Sequence, residues 1–288
     1  MILLLSVILI LFTIAMLLFY KAHRNTQKVA LNKINLPALN SHQSPDTFFN
    51  VLHISDMHLE KISISPEQLY RNLEGEKIDL IAITGDFLDK KRSIPKLAPY
   101  LKIFNRLDAP FGIYVVFGNH DYHLKQKDFE ILRSLLREYG CKTLQNDNET
   151  IIVNGQPVNI IGVDDFHTRR SDLQLSFAHL KEGYNLVLTH DPNVVLNMKN
   201  YHYDYLLSGH FHGGQIHWPK PYHLAKLGRV MMKMNMIKGL HYHNEKPFYI
   251  SEGLGQTSIN IRIGSRPEMT LHQLPINKIA KEKTLIVV

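Results

Sequence analysis

The chain has 288 residues, of which 44% are hydrophobic and 20% are charged, and this composition excludes a disordered or fibrous protein. A formal net charge of +7 and a pI of about 9.3 favour an anionic neighbour, which is lipid, nucleic acid or a phosphorylated substrate. Cys141 is the only cysteine, so an intrachain disulfide is excluded.

Residues 1–20 form an apolar run in which only Ser6 and Thr13 are clearly polar. About 20 apolar residues in a helix span the hydrocarbon core of a bilayer. A cleaved signal peptide is the alternative, but no Lys or Arg precedes the run and no small-residue cleavage site follows it. We therefore predict an uncleaved transmembrane anchor over residues 1–20 and a polar stalk over residues 21–46.

Basic residues cluster just after this anchor, at Lys21, Arg24, Lys28 and Lys33. By the positive-inside rule, such a cluster stays on the cytoplasmic side of the membrane. The sequence therefore predicts a single-pass protein of the cell membrane whose main domain is cytoplasmic.

From residue 47 onward apolar strands alternate with amphipathic helices, which is typical of a layered α/β domain. Strands are predicted over residues 47–55, 78–84 and 112–117. Helices are predicted from Ser65, a capping residue that precedes a proline, and over residues 95–107 and 127–139. Seven more strands are predicted over residues 150–153, 158–163, 184–188, 203–207, 248–251, 259–263 and 269–274. Two packed sheets account for this number, so we predict one domain over residues 47–275 and a tail over residues 276–288.

Asp, Asn and His residues recur where these strands end. The groups are Asp56-Met57-His58, Gly85-Asp86-Phe87-Leu88-Asp89, Gly118-Asn119-His120-Asp121, His190 and Gly209-His210-Phe211-His212. Any one group alone predicts only a turn, because Asn and Asp are common turn residues. Five groups at strand ends are not explained by turns, and ligands bind at this edge of open α/β sheets.

The residue types indicate two divalent metal ions. A binuclear site about 3.5–4 Å across needs a bridging carboxylate, and Asp86 is the best candidate because Gly85 lets the backbone turn sharply beside it. The other predicted ligands are Asp56, His58 and His212 for one metal, and Asn119, His190 and His210 for the other. In an extended segment, His210 and His212 face the same way. Oxygen and imidazole ligands without thiolate suit Mn²⁺, with Fe or Zn²⁺ as alternatives.

Two such cations lower the pKa of a bridging water, so that it attacks as hydroxide, and they hold a phosphoryl group. No Ser or Cys nucleophile is then needed. We predict that His120 protonates the leaving oxygen and that Asp121 orients it. Asp89 is predicted to orient a ligand histidine.

These motifs, in this order over residues 49–274, resemble the five blocks of the calcineurin-like metallophosphoesterase superfamily. The resemblance implies a four-layer α/β/β/α sandwich, a binuclear metal centre and hydrolysis of phosphoester or pyrophosphate bonds. The N-terminal span, Gly213-Gly214-Gln215 and the segment Arg262-x-Gly264-x-Arg266-Pro267-Glu268 resemble a membrane-anchored bacterial branch. That branch is similar to the enzymes that split UDP-2,3-diacylglucosamine, which implies a lipid-linked substrate.

Between His217 and His243, aromatic, methionine and basic residues are interleaved, as in segments that lie at a membrane interface. We predict an interfacial lip here, with contacts from Trp218, Lys226, Arg229 and Lys233. The alternative is a partly buried helix whose lysines extend to solvent.

Two other functions stay open. A nuclease or cyclic-nucleotide phosphodiesterase would use the same metal core, although nucleic acid is not the expected partner because only one stretch interleaves aromatic with basic residues. A non-catalytic, anchored binding module is the other, but the presence of every predicted ligand and of His120 argues against it. Nothing in the sequence indicates an obligate protein partner.

Overall fold

The strands alternate their side chains between two apolar layers. In the strand Phe48–Ile54, Val51 lies in the cluster between the two sheets, whereas Leu52 and Ile54 lie in the cluster beneath the helices. The computed structural model describes residues 1–37, 48–217, 221 and 224–276. Within them, three buried apolar clusters separate four layers of secondary structure.

The first sheet has six strands. They are β1 Ala30–Asn35, β2 Phe48–Ile54, β3 Leu80–Thr84, β4 Ile113–Val116, β5 Cys141–Thr143 and β12 Glu268–Pro275. Their order is β1-β12-β2-β3-β4-β5. Strands β2 to β5 are parallel, so their carboxyl ends meet at one edge, whereas β12 is antiparallel to β2.

The second sheet also has six strands. They are β6 Asp147–Val153, β7 Gln156–Gly162, β8 Tyr184–Leu188, β9 Tyr205–Ser208, β10 Gly239–His243 and β11 Lys246–Ile250. Their order is β10-β11-β9-β8-β7-β6, with a parallel centre and an antiparallel strand at each edge.

Helices cover the outer face of each sheet. On the first sheet they are α2 Pro66–Leu73, α3 Leu97–Arg106 and α4 Gln126–Glu138. On the second they are the short helices α5 Leu173–Ser176, α6 Leu224–Leu227 and α7 Arg229–Lys233, with a 3₁₀ helix over Pro192–Asn197. The predicted four-layer α/β/β/α sandwich is therefore confirmed.

Helix α1, Ile2–Asn25, precedes the sandwich. At 1.5 Å per residue its 24 residues are ~36 Å long. The helix ends at Asn25, five residues beyond the end of the predicted anchor. Residues 1–21 are exposed along their whole length, and within the described residues α1 is the one helix long and apolar enough to cross a membrane.

The predicted stalk over residues 21–46 is wrong in part, because it contains the end of α1 and strand β1. Ala30–Asn35 pairs in parallel with Glu268–Pro275, and a partner so distant in sequence leaves no local pattern. The short strands β5 and β10 were also not predicted. Residues 38–47 of the stalk and 277–288 of the tail lie outside the described residues.

The predicted strand over residues 259–263 is also wrong, apart from one bridge between Ile216 and Ile263. Its polar backbone groups are bound by side chains and by the end of α1 instead of by a neighbouring strand. The Ile259 carbonyl accepts from Gln215 Nε2 at 3.0 Å, and the Arg262 carbonyl accepts from Asn25 Nδ2 at 3.0 Å.

Candidate metal centre

The structure groups six of the seven side chains that were predicted as metal ligands, and the seventh, Asn119, is next in sequence to His120, whose N–H donates to Asp86 Oδ1 at 2.9 Å. Each lies just after the carboxyl end of β2, β3, β4, β8 or β9, where the parallel strands of both sheets end. None is more than 6% exposed. The residues are Asp56, His58, Asp86, Asn119, His190, His210 and His212.

Two groups of three residues form within this cluster. In the first, Asp56 Oδ1 lies 3.3 Å from His212 Nε2, which lies 3.2 Å from His58 Nε2. These are the three residues predicted for one metal together with Asp86. In each group the ligand atoms lie within 4.8 Å of one another.

The second group contains Asp86, His190 and His210. Asp86 Oδ2 lies 3.1 Å from His190 Nε2, which is 3.1 Å from His210 Nδ1. The same Oδ2 atom is 3.5 Å from His58 Nε2 in the first group. Asp86 therefore lies between the two groups, which is the position of a bridging carboxylate.

The hydrogen bonds around the cluster fit metal ligation. His190 Nδ1 donates to the Thr84 carbonyl at 2.7 Å, and His58 Nδ1 lies 3.1 Å from the Asp89 carboxylate. Because Nδ1 of each ring is engaged in this way, Nε2, which faces Asp86 Oδ2 in both residues, is the ring atom left to bind a cation. The buried Asn119 Oδ1 atom also has no hydrogen-bond partner among the described residues. The donor set consequently fits two divalent cations.

The backbone is unusual at five of the seven positions. Their φ angles are positive, at 49° for Asp56, 38° for His58, 55° for Asp86, 73° for His210 and 50° for His212. Such conformations cost about 1–3 kcal/mol each and concentrate at functional sites. The extended geometry predicted for His210 and His212 is therefore not found, and their rings enter different groups.

Two glycines of the motifs are required by close approach. A Cβ atom at Gly118 would collide with the Asp86 carboxylate, and one at Gly209 would collide with Ser55 Oγ and the Asp56 carboxylate. The glycine before each ligand segment thus lets the carboxylate of another strand end lie against the backbone.

Burial and neighbouring charge set the protonation of the ligands. Burial lowers the pKa of His210 and His212 well below the ordinary value, which favours the neutral imidazole that binds metal. Burial acts to raise the pKa of Asp86, but the histidines around it, led by His190, hold that pKa well below its usual range. Although burial opposes it, Asp86 raises the pKa of His190, so a proton competes with a cation there.

Asp121 does not orient His120, contrary to the prediction. Its Oδ2 atom accepts from the backbone N–H groups of Asp86 and Gly118, both at 2.9 Å, and its Oδ1 atom accepts from Phe87 N at 2.9 Å. These amides lie in the loops after β3 and β4 and lack strand partners, which is why they attract the carboxylate. Asp121 therefore holds together the two loops that carry Asp86 and Asn119.

The carboxylate that contacts the His120 ring is that of Asp89, not that of Asp121. Asp89 Oδ1 is 2.8 Å from His120 Nδ1 and 3.1 Å from His58 Nδ1, so one carboxylate contacts a predicted ligand and the predicted proton donor. Burial acts to lower the pKa of His120, but the hydrogen bond to Asp89 and the charge of Asp86 raise it to about 9. The contact with Asp89 thus favours the protonated form of His120, whose ring is 26% exposed whereas the predicted ligands are buried.

Sequence reasoning assigned no role to Arg262, which is completely buried. Its guanidinium donates to the carbonyls of Glu252, Gly253 and Gly255 at 2.8, 3.0 and 2.6 Å. Gly255 N in turn donates to the Asp56 carbonyl at 2.7 Å. Arg262 thereby fixes the loop behind a predicted ligand, and no local signal shows this because its acceptors are backbone atoms.

A cavity of about 490 Å³ opens beside the cluster. His167 lines this cavity, and its ring centre lies 5.3 Å from that of the predicted ligand His210, so the cavity adjoins the cluster. The cavity has polar and apolar walls, formed by Phe166, His167, Arg169, Ser171, Asp191, Asn193, Leu196, Asn197 and Leu227. Such a mixed lining suits a group that carries both polar and apolar parts.

The predicted interfacial lip is described only in part. Trp218 and the side chain of Lys226 lie outside the described residues. Arg229 and Lys233, on α7, are exposed, whereas Met231 between them is buried against the second sheet. Membrane contact by the lip therefore stays a prediction.

The layered fold and the Asp, Asn and His cluster define the class as metal-dependent hydrolases. The calcineurin-like phosphoesterase family model matches residues 49–214, and the chain belongs to this family. The protein is accordingly a hydrolase that acts on phosphoester bonds, and the resemblance seen in the sequence motifs is confirmed.

Three relatives illustrate the range of the family. The uncharacterized metallophosphoesterase YkoQ of Bacillus subtilis is 58% identical over 269 residues, covering 92% of this chain and 99% of YkoQ. The phosphodiesterase YaeI of Escherichia coli is 25% identical over 230 residues, covering 78% and 82%. The UDP-2,3-diacylglucosamine pyrophosphatase LpxG of Chlamydia muridarum is 25% identical over 276 residues, covering 77% and 82%.

Proposed function

We propose that the protein is a membrane-anchored phosphohydrolase with two divalent metal ions and a lipid-linked substrate. The observation that carries this proposal is the pair of adjoining groups Asp56, His58, His212 and Asp86, His190, His210, joined at Asp86, within a domain that follows an exposed apolar helix. When bound, two such ions supply a water nucleophile of lowered pKa and neutralise charge on the phosphoryl oxygens.

Each ligand has a proposed place. Asp86 would contact both ions. One ion would be held in addition by Asp56, His58 and His212, and the other by Asn119, His190 and His210. Oxygen and imidazole donors without thiolate favour Mn²⁺, with Fe or Zn²⁺ as alternatives.

His120 is the proposed proton donor. Its Nδ1 atom is bound to Asp89 at 2.8 Å, so the ring is fixed and Nε2 is the atom from which a proton reaches the leaving oxygen. Asp89 positions His120 and His58 together. Asp121 acts only through the backbone of the two ligand loops.

Three observations support a lipid-linked phosphoester or pyrophosphate as substrate. The apolar helix α1 would hold the domain at the bilayer, and the cavity beside His210 offers both polar and apolar walls. The relative LpxG is named a UDP-2,3-diacylglucosamine pyrophosphatase. The exposed basic residues Lys21, Arg24 and Lys28 favour the cytoplasmic face of the cell membrane for the domain.

A soluble phosphodiester, such as a cyclic nucleotide, is the second candidate substrate, because the relative YaeI is named a phosphodiesterase. The dependence of binding on salt concentration distinguishes nucleic acid from a lipid substrate, because the binding of a polyanion weakens steeply as the salt concentration rises. Hydrolysis of a nucleotide-sugar lipid in mixed micelles should change little over the same salt range.

The experiment compares the full chain with Asp86→Ala and Asn119→Ala, loaded with Mn²⁺ in detergent. Turnover of an aryl phosphodiester and of a UDP-diacylglucosamine-type lipid should fall by more than ~10²-fold in both variants, since losing even an outer partner of a ligand costs 10–100-fold. Asp147→Ala, an exposed change on β6, is the matched control. Undiminished turnover in either ligand variant would refute the site, and turnover of the aryl ester alone would refute the lipid substrate.

A further inference from the structure

The end of α1 is bound to the phosphoesterase domain by hydrogen bonds. The Ala22 carbonyl accepts from Arg262 N at 3.0 Å, and Asn25 Nδ2 donates to the Arg262 carbonyl at 3.0 Å. His23 Nδ1 donates to the Asn260 carbonyl at 2.9 Å. Since Ala22 is only 3% exposed, this junction is packed as well as hydrogen-bonded. The helix therefore leaves the domain at a fixed position.

The same loop reaches the metal centre. The Arg262 guanidinium donates to Ser265 Oγ at 2.8 Å, and that hydroxyl donates to the His212 carbonyl at 2.8 Å. Arg262 thus contacts the helix through its backbone and supports a predicted ligand through its side chain. Arg262 consequently links the end of α1 to the metal centre.

Two apolar side chains beside the junction are exposed. Ile259 is 42% exposed and Ile263 is 36% exposed, and they are the sequence neighbours of Asn260 and Arg262, which bind α1. We call them the anchor-flanking pair. Their backbone is held by Gln215, which contacts the carbonyl of Ile259 and the N–H of Ile263, so their exposure does not come from a free loop.

The end of α1 carries the residues typical of a membrane interface. Tyr20, Lys21 and Arg24 are exposed, and Arg24 Nη1 donates to the Tyr20 hydroxyl at 3.3 Å. Tyrosine and basic side chains concentrate at headgroup level, where the apolar part of a helix ends. The loop that carries the anchor-flanking pair binds α1 at residues 22–25, the turn that contains Arg24.

We infer that Ile259 and Ile263 insert into the membrane interface and that loop 257–265 rests on the bilayer. The occupant is the bilayer, because the pair adjoins a helix whose apolar residues are exposed from Ile2 to Tyr20. Moving exposed apolar side chains from water into the membrane interface lowers the free energy of the system. The contact holds the metal centre at a fixed height and angle above the headgroups. The inference rests on the proposed function in one respect, that α1 spans the membrane.

Site-directed fluorescence tests the contact in the full chain without any activity measurement. The variants Ile259→Cys and Ile263→Cys are labelled with an environment-sensitive dye and reconstituted into vesicles of phosphatidylethanolamine and phosphatidylglycerol. Spin-labelled lipids then quench dyes that lie in the interface. The native Cys141 needs no replacement, because it is buried and burial raises the pKa of its thiol to about 12.

Two matched positions control the measurement. Ile10→Cys lies in the middle of α1, and Ile152→Cys lies on β6, an edge strand of the second sheet, where the side chain is 55% exposed. We expect blue-shifted emission and lipid quenching at positions 10, 259 and 263, and neither effect at position 152. Because positions 259 and 263 are labelled separately, one poorly folded variant leaves the other as a test.

The outcomes separate the inference from the proposed function. Quenching at position 10 without quenching at 259 and 263 would overturn the contact and leave the anchor intact. No quenching at position 10 would overturn the anchor, and with it both proposals about the membrane. Quenching at 259 and 263 equal to that at 152 would show an ordinary solvent-exposed loop.

Discussion

Three carboxylates near the metal centre differ in their partners, and therefore in what they do. Asp86 faces imidazole nitrogens, Asp121 faces backbone amides, and Asp89 faces the Nδ1 atoms of His58 and His120. A carboxylate that accepts hydrogen bonds from backbone amides fixes a loop. A carboxylate beside imidazole rings can bind a metal ion or stabilise the protonated ring. These contacts lead to two predictions about single residues.

Replacing His120 by Gln should lower turnover by about 10²–10⁴-fold, the usual contribution of a proton donor. The loss should be smaller for a p-nitrophenyl ester than for an alkyl ester, because a good leaving group needs no proton. Metal content, measured by elemental analysis, should not change. The control is His123→Gln, an exposed histidine whose ring lies 5.1 Å from that of His120. Equal losses for both esters would contradict the role of His120.

Replacing Asp121 by Asn should destabilise the metal-free domain by about 1–3 kcal/mol, because an amide N–H₂ group would face buried N–H donors. Urea unfolding measures this loss. Asp89→Asn is the comparison, since that side chain is 33% exposed and its Oδ1 atom contacts the rings of His58 and His120. We expect it to reduce turnover more and stability less. Unchanged stability in Asp121→Asn would argue against the loop-holding role.

At the scale of elements, strands formed by local apolar runs were predictable and strands formed by distant partners were not. β2, β3 and β4 lie within a residue or two of the predicted bounds, because each is a run of buried β-branched or large side chains. β1 has mixed polarity, and its partner β12 begins at Glu268, so only the folded chain identifies it. The segment 259–263 has strand-like residues, but its backbone binds α1.

The candidate site also contains residues that were predictable from the sequence and features that depend on the fold. Motif spacing identified the residues that converge on Asp86, because ligand type is carried by the side chain itself. The positive φ angles and the role of Arg262 depend on backbone atoms brought together by the fold. Asp121 was misassigned for this reason, since its acceptor atoms meet amides from two different loops.

Arg262 leads to a prediction for the element that joins α1 to the site. Arg262→Met should lower the free energy of unfolding by about 3–5 kcal/mol, because leaving even one buried hydrogen-bonding group unsatisfied costs about 1–3 kcal/mol. Five backbone carbonyls lose donors in this variant, those of His212, Glu252, Gly253, Gly255 and Arg266. Chemical denaturation of the purified full chain in detergent measures the change.

Arg266→Met is the matched control, because Arg266 is exposed in the same loop. Its effect should stay within about 0.5 kcal/mol, as for most surface substitutions. Metal affinity should fall in Arg262→Met and not in the control. Similar stabilities for the two variants would show that the carbonyl contacts of Arg262 are not needed.

At the scale of the whole molecule, two histidines lie buried between the sheets. His53 Nε2 is 2.8 Å from Thr84 Oγ1, and His272 Nδ1 is 3.0 Å from the Tyr205 hydroxyl. Burial lowers the pKa of His53 to about 3 and that of His272 well below its ordinary value. Both rings are therefore neutral in the folded protein.

Acid should weaken the fold through these two groups. The unfolded chain takes up protons on them below pH 6.5, whereas the folded chain does not, so their contribution is complete above pH 6.5 and is lost as pH falls toward 3. Each histidine should contribute a slope of about 1.4 kcal/mol per pH unit in this range. Denaturant titrations of the metal-free protein at several pH values measure the slope. His53→Asn should reduce it, whereas the exposed His202→Asn should not.

The proposed activity requires a binuclear centre bridged by Asp86, and anomalous scattering from a crystal grown with Mn²⁺ would locate the two ions. We expect two peaks about 3.5–4 Å apart, both within bonding distance of the Asp86 carboxylate. A single peak, or two peaks away from Asp86, would contradict a binuclear centre bridged by this residue.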